Sequence, residues 1–390
     1  MSSLPPTSPA TQRSPDGVVI GAGVIGCALA WRLAQRGLHI QVVDPGPPGG
    51  EATAASAGIL APQIEAHEAG PLLTLQLASR ERYPTFVAEL ADATGIDVGY
   101  RRSGALLIAG PAEAPVLEQR AAWQRARGLG FERLSPADGR AHEPALGEYA
   151  AALRFADEAQ VEPQRLVRAL ERAARAAGAE FVHGRALRVL HQAGAVSGLV
   201  LNDGSGERVV ATPRVVVAAG SWSSLIEGAL LPPPAVYPVR GQIVEIETHT
   251  RLRHVIFGPG GYLVPRPDGR VLLGSTEERA GYQKEVTVAG VTAILQMAQR
   301  IVPALAGATL LRTWSGLRPC TDDRLPFLGP TSIAGLHLAT GHFRNGVLLC
   351  PITADALTAS LLGEPSPVDL APFSNARLLT PRAAGAHSAA

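Results

Sequence analysis

The stretch Gly21-Ala22-Gly23-Val24-Ile25-Gly26 decides the fold. It follows an apolar run at residues 18–20 and opens a segment, residues 24–37, whose apolar residues recur at helical spacing. Strand, glycine turn and helix in this order are typical of a nucleotide-binding βαβ unit. We therefore predict a dinucleotide site at this turn, and the alternative is a glycine-rich turn that binds no ligand.

Each glycine of this motif has a physical reason, and an acid follows at the expected place. Gly21 permits the turn, Gly23 leaves room for a pyrophosphate, and Gly26 lets the helix pack closely on the strand. The next apolar run, residues 38–43, predicts a second strand that delivers Asp44. Its carboxylate can accept hydrogen bonds from ribose hydroxyls and would repel a 2′-phosphate, so the pattern favours FAD or NAD over NADP.

The composition is that of a soluble globular protein. The chain has 390 residues, 46% hydrophobic and 18% charged, with a formal net charge of +1. This charge gives no reason to expect nucleic acid or an anionic membrane as a partner, and no apolar run reaches the roughly 18 residues of a spanning helix. Cys27, Cys320 and Cys350 lie far apart without metal-ligand spacing. We therefore predict no disulfide framework, no metal site and a reducing cytoplasm as the location.

The order of the predicted elements indicates an α/β protein with two interleaved domains. A continuous β-branched run at residues 214–222 predicts a parallel strand buried on both faces, and a strand at 335–341 precedes a helix at 347–362. Antiparallel strands are predicted at 237–247, 262–266 and 270–276. We expect a Rossmann-like, doubly wound parallel sheet in a nucleotide-binding domain (16–85, 145–225 and 315–375), and an antiparallel-sheet substrate domain (86–144 and 226–314). Residues 1–15 and 376–390 are predicted to be disordered termini.

Three further motifs carry a resemblance to a known family. They are Ala57-Gly58-Ile59-Leu60-Ala61-Pro62-Gln63, Gly316-Leu317-Arg318-Pro319 and Gly341-His342-Phe343-Arg344-Asn345-Gly346. With the glycine turn they resemble the D-amino-acid oxidase superfamily of FAD-dependent amine oxidases, from about residue 18 to residue 362, and within it most the glycine oxidases of bacterial thiamine biosynthesis. The resemblance implies a two-domain flavoprotein with FAD bound without a covalent link.

The predicted cofactor-binding positions combine the glycine motif, the end of the strand at Gly220 and the positions that this resemblance implies. They are Gly21, Gly23, Val24, Ile25, Gly26, Asp44, Pro45, Ala52, Thr53, Ala57, Gly58, Ile59, Ala186, Gly220, Gly341, His342, Phe343, Arg344, Asn345, Gly346, Val347 and Leu348.

The resemblance also implies a substrate site. Arg318 would bind the substrate carboxylate, Tyr262 would close the site, and Arg344 would be a second contact. A guanidinium suits this role because it can hold a carboxylate bidentately. Two positions depart from the best-known glycine oxidases, with Gly260 in place of a histidine and Glu277 in place of a methionine. Substrate choice among glycine, sarcosine, D-alanine and D-proline therefore stays open, and Glu277 either attracts an amine or points to solvent.

The implied activity is oxidation of glycine, or of a similarly small primary or N-methyl amine, to the imine. Hydride would pass from Cα to flavin N5 and O₂ would be reduced to H₂O₂, supplying the thiazole branch of thiamine biosynthesis. Alternatives are a quinone-linked D-amino-acid dehydrogenase, a sarcosine oxidase-like enzyme and a non-catalytic flavin-binding subunit. Sarcosine oxidases attach flavin through a cysteine near the position of Cys320, but the local pattern here differs. We also expect a homo-oligomer, with a tetramer as the candidate assembly.

Overall fold

The structure, a computed structural model, describes residues 14–379. Its helices are α1 Val24–Gln35, α2 Ala52–Ala55, α3 Pro62–Glu65, α4 Pro71–Thr94, α5 Ala114–Ala126, α6 Pro136–His142, α7 Pro163–Ala176, α8 Val288–Ile301 and α9 Gly346–Leu362. Its strands are β1 Gly17–Ile20, β2 Ile40–Asp44, β3 Ile59–Leu60, β4 Ala105–Ala109, β5 Glu132–Leu134, β6 Ala151–Phe155, β7 Ala159–Gln160, β8 Glu180–His183, β9 Arg185–Gln192, β10 Ala195–Asn202, β11 Glu207–Ala211, β12 Val215–Val217, β13 Tyr237–Glu247, β14 Val255–Gly258, β15 Gly261–Pro265, β16 Arg270–Gly274, β17 Thr309–Cys320, β18 Phe327–Pro330 and β19 Leu336–Thr340.

A six-stranded sheet carries the glycine turn. Its order is β18-β19-β12-β1-β2-β8, and every neighbouring pair is parallel except the edge pair β18–β19. Side chains alternate across β1, so Val19 packs into the core formed with α1, α7 and α9. Val18 and Ile20 pack on the opposite face, against the small antiparallel sheet β11-β10-β9. The parallel α/β sheet predicted from the sequence is confirmed, with helices on one face and a second sheet on the other.

Two glycines allow α1 to start close to the sheet. Gly21 has a φ of +106°, which favours glycine, and a Cβ there would lie 2.4 Å from the carbonyl oxygen of Ala218. A Cβ at Gly26 would lie 1.9 Å from the carbonyl oxygen of Gly21. The helix N-terminus is therefore held directly at the end of β1, where no larger residue fits.

An eight-stranded sheet forms the second large element. Its order is β17-β13-β16-β15-β14-β4-β6-β5, and its neighbours are antiparallel except for the parallel pair β14–β4. Helix α8 packs on it through Ile294, Met297 and Ile301. Within residues 14–379, no helix is long and apolar enough to cross a membrane.

Several predicted boundaries differ from the structure. Helix α4 crosses the boundary predicted between residues 85 and 86, and strand β17 of the eight-stranded sheet crosses the one predicted between residues 314 and 315. Strand β6 pairs with β4 in the eight-stranded sheet, so the nucleotide-binding segment predicted from residue 145 begins only after Phe155. The sequence of this short strand does not indicate its partner, because β4 lies far earlier in the chain. Residues 375–379 form a 3-10 helix in which Arg377 pairs with Asp323 at 2.9 Å, so the loose tail does not begin at residue 376. The rest of both predicted disordered termini, residues 1–13 and 380–390, lies outside the described residues.

Candidate functional site

A cavity of about 610 Å³ lies at the carboxyl ends of the parallel strands, facing the eight-stranded sheet. Residues after β1, β2, β12 and β19 line one side of it, and residues of β13, β15 and β17 line the other. Ligands of open α/β sheets bind in this position, because the loops and helix starts that follow the strands converge there. The volume is within the range of sites that hold cofactor-sized molecules.

Most of the predicted site residues meet at this one cavity. Those lining it are Gly21, Gly23, Val24, Ile25, Asp44, Pro45, Ala52, Thr53, Ala57, Gly58, Ile59, Ala186, Gly220, Tyr262, Arg318, His342, Phe343, Arg344, Gly346 and Val347.

Four predicted cofactor-binding residues do not line the cavity. Gly26 packs α1 on the sheet, and Leu348 is buried in the core of the helical layer. The side-chain oxygen of Asn345 accepts a hydrogen bond from Gln76 at 2.8 Å. Gly341 packs against Thr321, whose Cγ2 would lie 2.8 Å from an added Cβ. These four residues shape the wall from behind.

Asp44 is fixed at the cavity wall by backbone groups. Its Oδ2 accepts from the N–H of Ala22 at 2.7 Å, and its Oδ1 accepts from the N–H of Gly46 at 2.8 Å. Burial raises the pKa of Asp44, and the two backbone hydrogen bonds oppose the rise. The carboxylate therefore has one orientation at the end of β2, where a ribose would reach it.

Two helices begin at the cavity. The first N–H of α1, on Val24, donates to Thr53 Oγ1 at 3.0 Å, which ties α1 to α2. Helix α9 has no side-chain cap at Asn345, and its residues Gly346 and Val347 line the wall. Unpaired N–H groups and the positive end of the α9 dipole therefore face the cavity, which suits a group that gains negative charge.

Arg318 is held rigidly on the opposite wall. Its Nη1 donates to the carbonyl oxygen of Thr276 at 3.1 Å, and its Nη2 donates to Ser275 Oγ at 2.6 Å. Burial lowers the pKa of the guanidinium, but an arginine stays protonated at any physiological pH. The remaining N–H groups of this fixed cation are available to a ligand carboxylate.

Tyr262 of β15 lines the cavity together with Arg318 of β17. On the neighbouring strand β16, Gly274 is paired with Tyr262. The absence of a side chain at Gly274 makes room for the ring, since a Cβ there would lie 2.6 Å from the hydroxyl. The phenol is buried, and within residues 14–379 its hydroxyl has no hydrogen-bond partner. It can therefore donate to a ligand.

Arg344 and Glu277 are neighbours, but only Arg344 lines the cavity. Glu277 lies 3.8 Å from Arg344 Nη1 and 3.3 Å from Arg324 Nη2. Burial alone would lower the pKa of Arg344, but the charges of Glu65 and Glu277 help to raise it. Glu277 thus pairs with arginines behind the wall and does not line the cavity. Gly260, the other position that departs from the best-known glycine oxidases, does not line it either.

The sequence reasoning missed Glu65, which lines the cavity together with Arg318, Tyr262 and Arg344. Burial raises the pKa of Glu65, while the charges of Arg344, Arg318 and Arg120 oppose the rise. The signal in the sequence was an acid two residues after the Ala57-to-Gln63 motif, the first charged residue after Glu51.

The loop that joins β16 to α8, residues 275–287, contacts the nucleotide side of the cavity. Tyr282 donates its hydroxyl to the carbonyl oxygen of Ser221 at 2.8 Å and packs on Trp222 at 5.7 Å between ring centres. Lys284, the only lysine in the sequence, pairs with Glu51 at 2.5 Å and lies 5.6 Å from the Trp222 ring. Because Glu51, Ser221 and Trp222 all line the cavity, this loop fastens one wall to the other.

Cys320 is buried, donates its thiol to the carbonyl oxygen of Thr321 at 3.4 Å and is not part of the lining. Its place in the fold gives no support to a covalent flavin link.

Comparisons with known proteins agree with this architecture. The sequence model of a family described as "FAD dependent oxidoreductase" matches residues 16–360. The chain is 33% identical to the glycine oxidase of Geobacillus kaustophilus, over 93% of this chain and 97% of that protein. It is 36% identical to the bifunctional protein ThiO/ThiG of Synechocystis sp., over 95% of this chain but 55% of that protein. The chain thus spans about half the length of the bifunctional relatives it matches.

Solved structures give the same result. The crystal structure of the Geobacillus kaustophilus glycine oxidase superposes with a TM-score of 0.86 at 33% identity, covering 92% of this chain and 98% of that one. An iminodiacetate oxidase from Chelativorans sp. superposes with a TM-score of 0.84 at 27% identity, with the same coverage of 92% and 98%. Since the family match extends over most of the chain, this protein belongs to the DAO family of FAD-dependent oxidoreductases.

Proposed function

We propose that the protein oxidises glycine, or a similarly small primary or N-methyl amine, to the imine, and that O₂ takes up the electrons and becomes H₂O₂. The observation that carries this proposal is that Arg318 and Tyr262 both line the wall opposite the glycine turn. Both present donors to one small cavity, and a carboxylate is the ligand that matches them. The name of the relative at 33% identity, a glycine oxidase, supports the same substrate class.

FAD fits the residues of the nucleotide side. The glycine turn offers a cradle that a Cβ at residue 21 would block, and Asp44 is oriented for a ribose. The start of α9 suits the flavin edge that becomes negative on reduction. When bound, FAD supplies the electron sink that accepts hydride from the substrate. We propose a non-covalent complex, since Cys320 is buried and does not line the cavity.

The side chains of this chain contribute mainly orientation. Arg318, held by Ser275 and Thr276, would grip the substrate carboxylate with two parallel bonds, and the Tyr262 hydroxyl would donate a third. A carboxylate bound this way loses most of its rotational freedom before the reaction, which lowers the entropic part of the barrier. Arg344, which follows β19 on the facing wall, adds positive charge to the same cavity. No general base is required for hydride transfer if the amine reacts in its neutral form.

A substrate panel tests this function. Glycine, sarcosine, D-alanine and D-proline would be compared under air by H₂O₂ release, and under anaerobic conditions by bleaching of the flavin absorbance. We expect glycine or sarcosine to give both signals. Bleaching without peroxide would instead favour a dehydrogenase that passes electrons to quinone, and no bleaching with any of the four would favour a non-catalytic flavin-binding subunit.

The pathway and the assembly are further parts of the proposal. The name ThiO/ThiG of the bifunctional relatives supports a role in supplying the thiazole branch of thiamine biosynthesis. A deletion strain that grows without added thiamine or thiazole would contradict that role. The homo-oligomer expected from the sequence can be tested by light scattering of the FAD-loaded protein.

A further inference from the structure

Glu65 is the acid of the cavity that lacks a partner. Within residues 14–379, three acids line the cavity, namely Asp44, Glu51 and Glu65. Backbone N–H groups hold Asp44, and Lys284 pairs with Glu51. The carboxylate of Glu65 forms no hydrogen bond or ion pair with any residue between 14 and 379, although it is half-buried. Such a carboxylate in a cavity is available to a donor on a ligand.

The backbone beneath Glu65 is fixed from several sides. In α3, the N–H of Gln63 donates to Oε1 of the buried Glu158 at 2.9 Å. The side chain of Gln63 accepts from Arg80 at 2.8 Å and donates to Gln124 at 3.2 Å. Arg120 bonds the carbonyl oxygen of Ile64. Glu65 is therefore mounted on a short helix that cannot shift without breaking this network, which is what a recognition residue requires.

The charges in the cavity leave one role for this acid. A small amino acid presents a carboxylate and an amino group, and the carboxylate is matched by Arg318 and Tyr262. The amino group needs an acceptor in the same cavity. Both Arg344 and Arg318 act on Glu65 through their charges, so its carboxylate lies within electrostatic range of the substrate-binding arginines.

We propose that Glu65 accepts a hydrogen bond from the substrate amino group and disfavours amines whose nitrogen carries a second anionic substituent. This inference rests on the proposed oxidation of small amino acids. An amine N–H next to Glu65 gains a charged acceptor, whereas a carboxymethyl group on that nitrogen would bring a like charge toward the same carboxylate. A dicarboxylate such as iminodiacetate should therefore be a poor substrate even though its nitrogen and one acid match those of glycine.

The test compares Glu65→Gln with Glu277→Gln, which removes the same charge near the same Arg344 from behind the wall. Glu65→Gln should raise the KM for glycine about tenfold and lower the ratio of kcat/KM for glycine over iminodiacetate by about tenfold or more. Glu277→Gln should leave that ratio within about twofold. Acetate, which has the carboxylate but no donor in place of the amine, should bind Glu65→Gln at least as tightly as wild type, measured by its perturbation of the flavin spectrum.

The outcomes separate this inference from the proposed function. If wild type oxidises glycine and Glu65→Gln keeps the wild-type ratio, Glu65 does not read the nitrogen and the inference is overturned. If wild type oxidises none of the small amino acids, the proposed function itself fails. The wild-type enzyme gives a test that needs no variant: a kcat/KM for iminodiacetate close to that for glycine would overturn the inference, and a preference for glycine of about a hundredfold would support it.

Discussion

Gly241 of β13 lies against the guanidinium of Arg318 of β17, so that a Cβ added at residue 241 would be 2.2 Å from both Nη1 and Nη2. The two strands are paired antiparallel, with Gly241 opposite Gly316. The position of the guanidinium therefore depends on the absence of one carbon atom on the neighbouring strand. Any side chain at residue 241 must displace Arg318 or the strand.

Gly241→Ala should accordingly impair substrate binding without removing a charge. We expect the KM for glycine to rise roughly tenfold to a hundredfold, because a bidentate contact tolerates little displacement. Steady-state peroxide assays measure the KM, and the visible spectrum checks that FAD is retained. Gly307→Ala is the matched control, since a Cβ there meets no atom within 4 Å, and its KM should equal that of wild type.

Arg318→Ala should raise the KM for glycine about a hundredfold, corresponding to about 3 kcal/mol of lost charge-assisted hydrogen bonding. Arg318→Lys should recover only part of this loss, because an ammonium keeps the charge but not the parallel pair of donors. Both values come from the same peroxide assay under air. A KM unchanged in Arg318→Ala would show that the carboxylate binds elsewhere.

His337 makes the folded protein sensitive to acid. It is buried on β19, where its Nε2 lies 3.2 Å from Ser360 Oγ, and burial lowers its pKa to about 4. The unfolded chain, with a histidine pKa near 6.5, binds more protons between these values, so stability falls as pH drops from about 6.5 to about 4. The full effect is on the order of 3 kcal/mol.

His337→Gln should therefore show a shallower loss of stability in that pH window. Urea unfolding of FAD-saturated protein at several pH values between 6.5 and 4.5 measures the slope. The same substitution at the exposed His249 should keep the wild-type slope. Equal slopes for His337→Gln and wild type would contradict the assignment.

The loop 275–287 should slow the release of FAD. Lys284→Ala removes the ion pair with Glu51 and the contact with the Trp222 ring, and we expect FAD to dissociate a few-fold faster. The loaded protein is diluted, and the rise in flavin fluorescence with time gives the rate at which FAD is released. Glu51→Gln should behave alike, and the double variant should add little if the two residues act through each other.

Much of the nucleotide side could be predicted because its signals are local. The glycine turn, the strand before it and Asp44 after it occur within one short segment, and the structure brings them to one cavity wall. The eight-stranded sheet could not be ordered in the same way. Its strand β4 pairs in parallel with β14, far along the chain, and nothing in either strand identifies the other. Long-range pairing of this kind depends on the whole packing, which a single sequence does not display.

The substrate side divides similarly. Arg318 and Tyr262 could be named from the resemblance, but the clearance that Gly241 and Gly274 give them appears only in three dimensions. The sequence does not indicate which of Glu277 and Glu65 faces the site. The fold alone separates them, since one pairs with two arginines and the other faces the cavity.

Because lysine occurs once in the chain, the contact of Lys284 with Glu51 can be observed by itself. Reductive methylation with ¹³C-formaldehyde keeps the charge of the ammonium and yields one lysine side-chain resonance, distinct from that of the terminal amine. Its chemical shift would report how the two walls meet in the free and loaded protein. The natural sequence thus contains a single lysine that can serve as a spectroscopic probe of the cavity, and no substitution is needed.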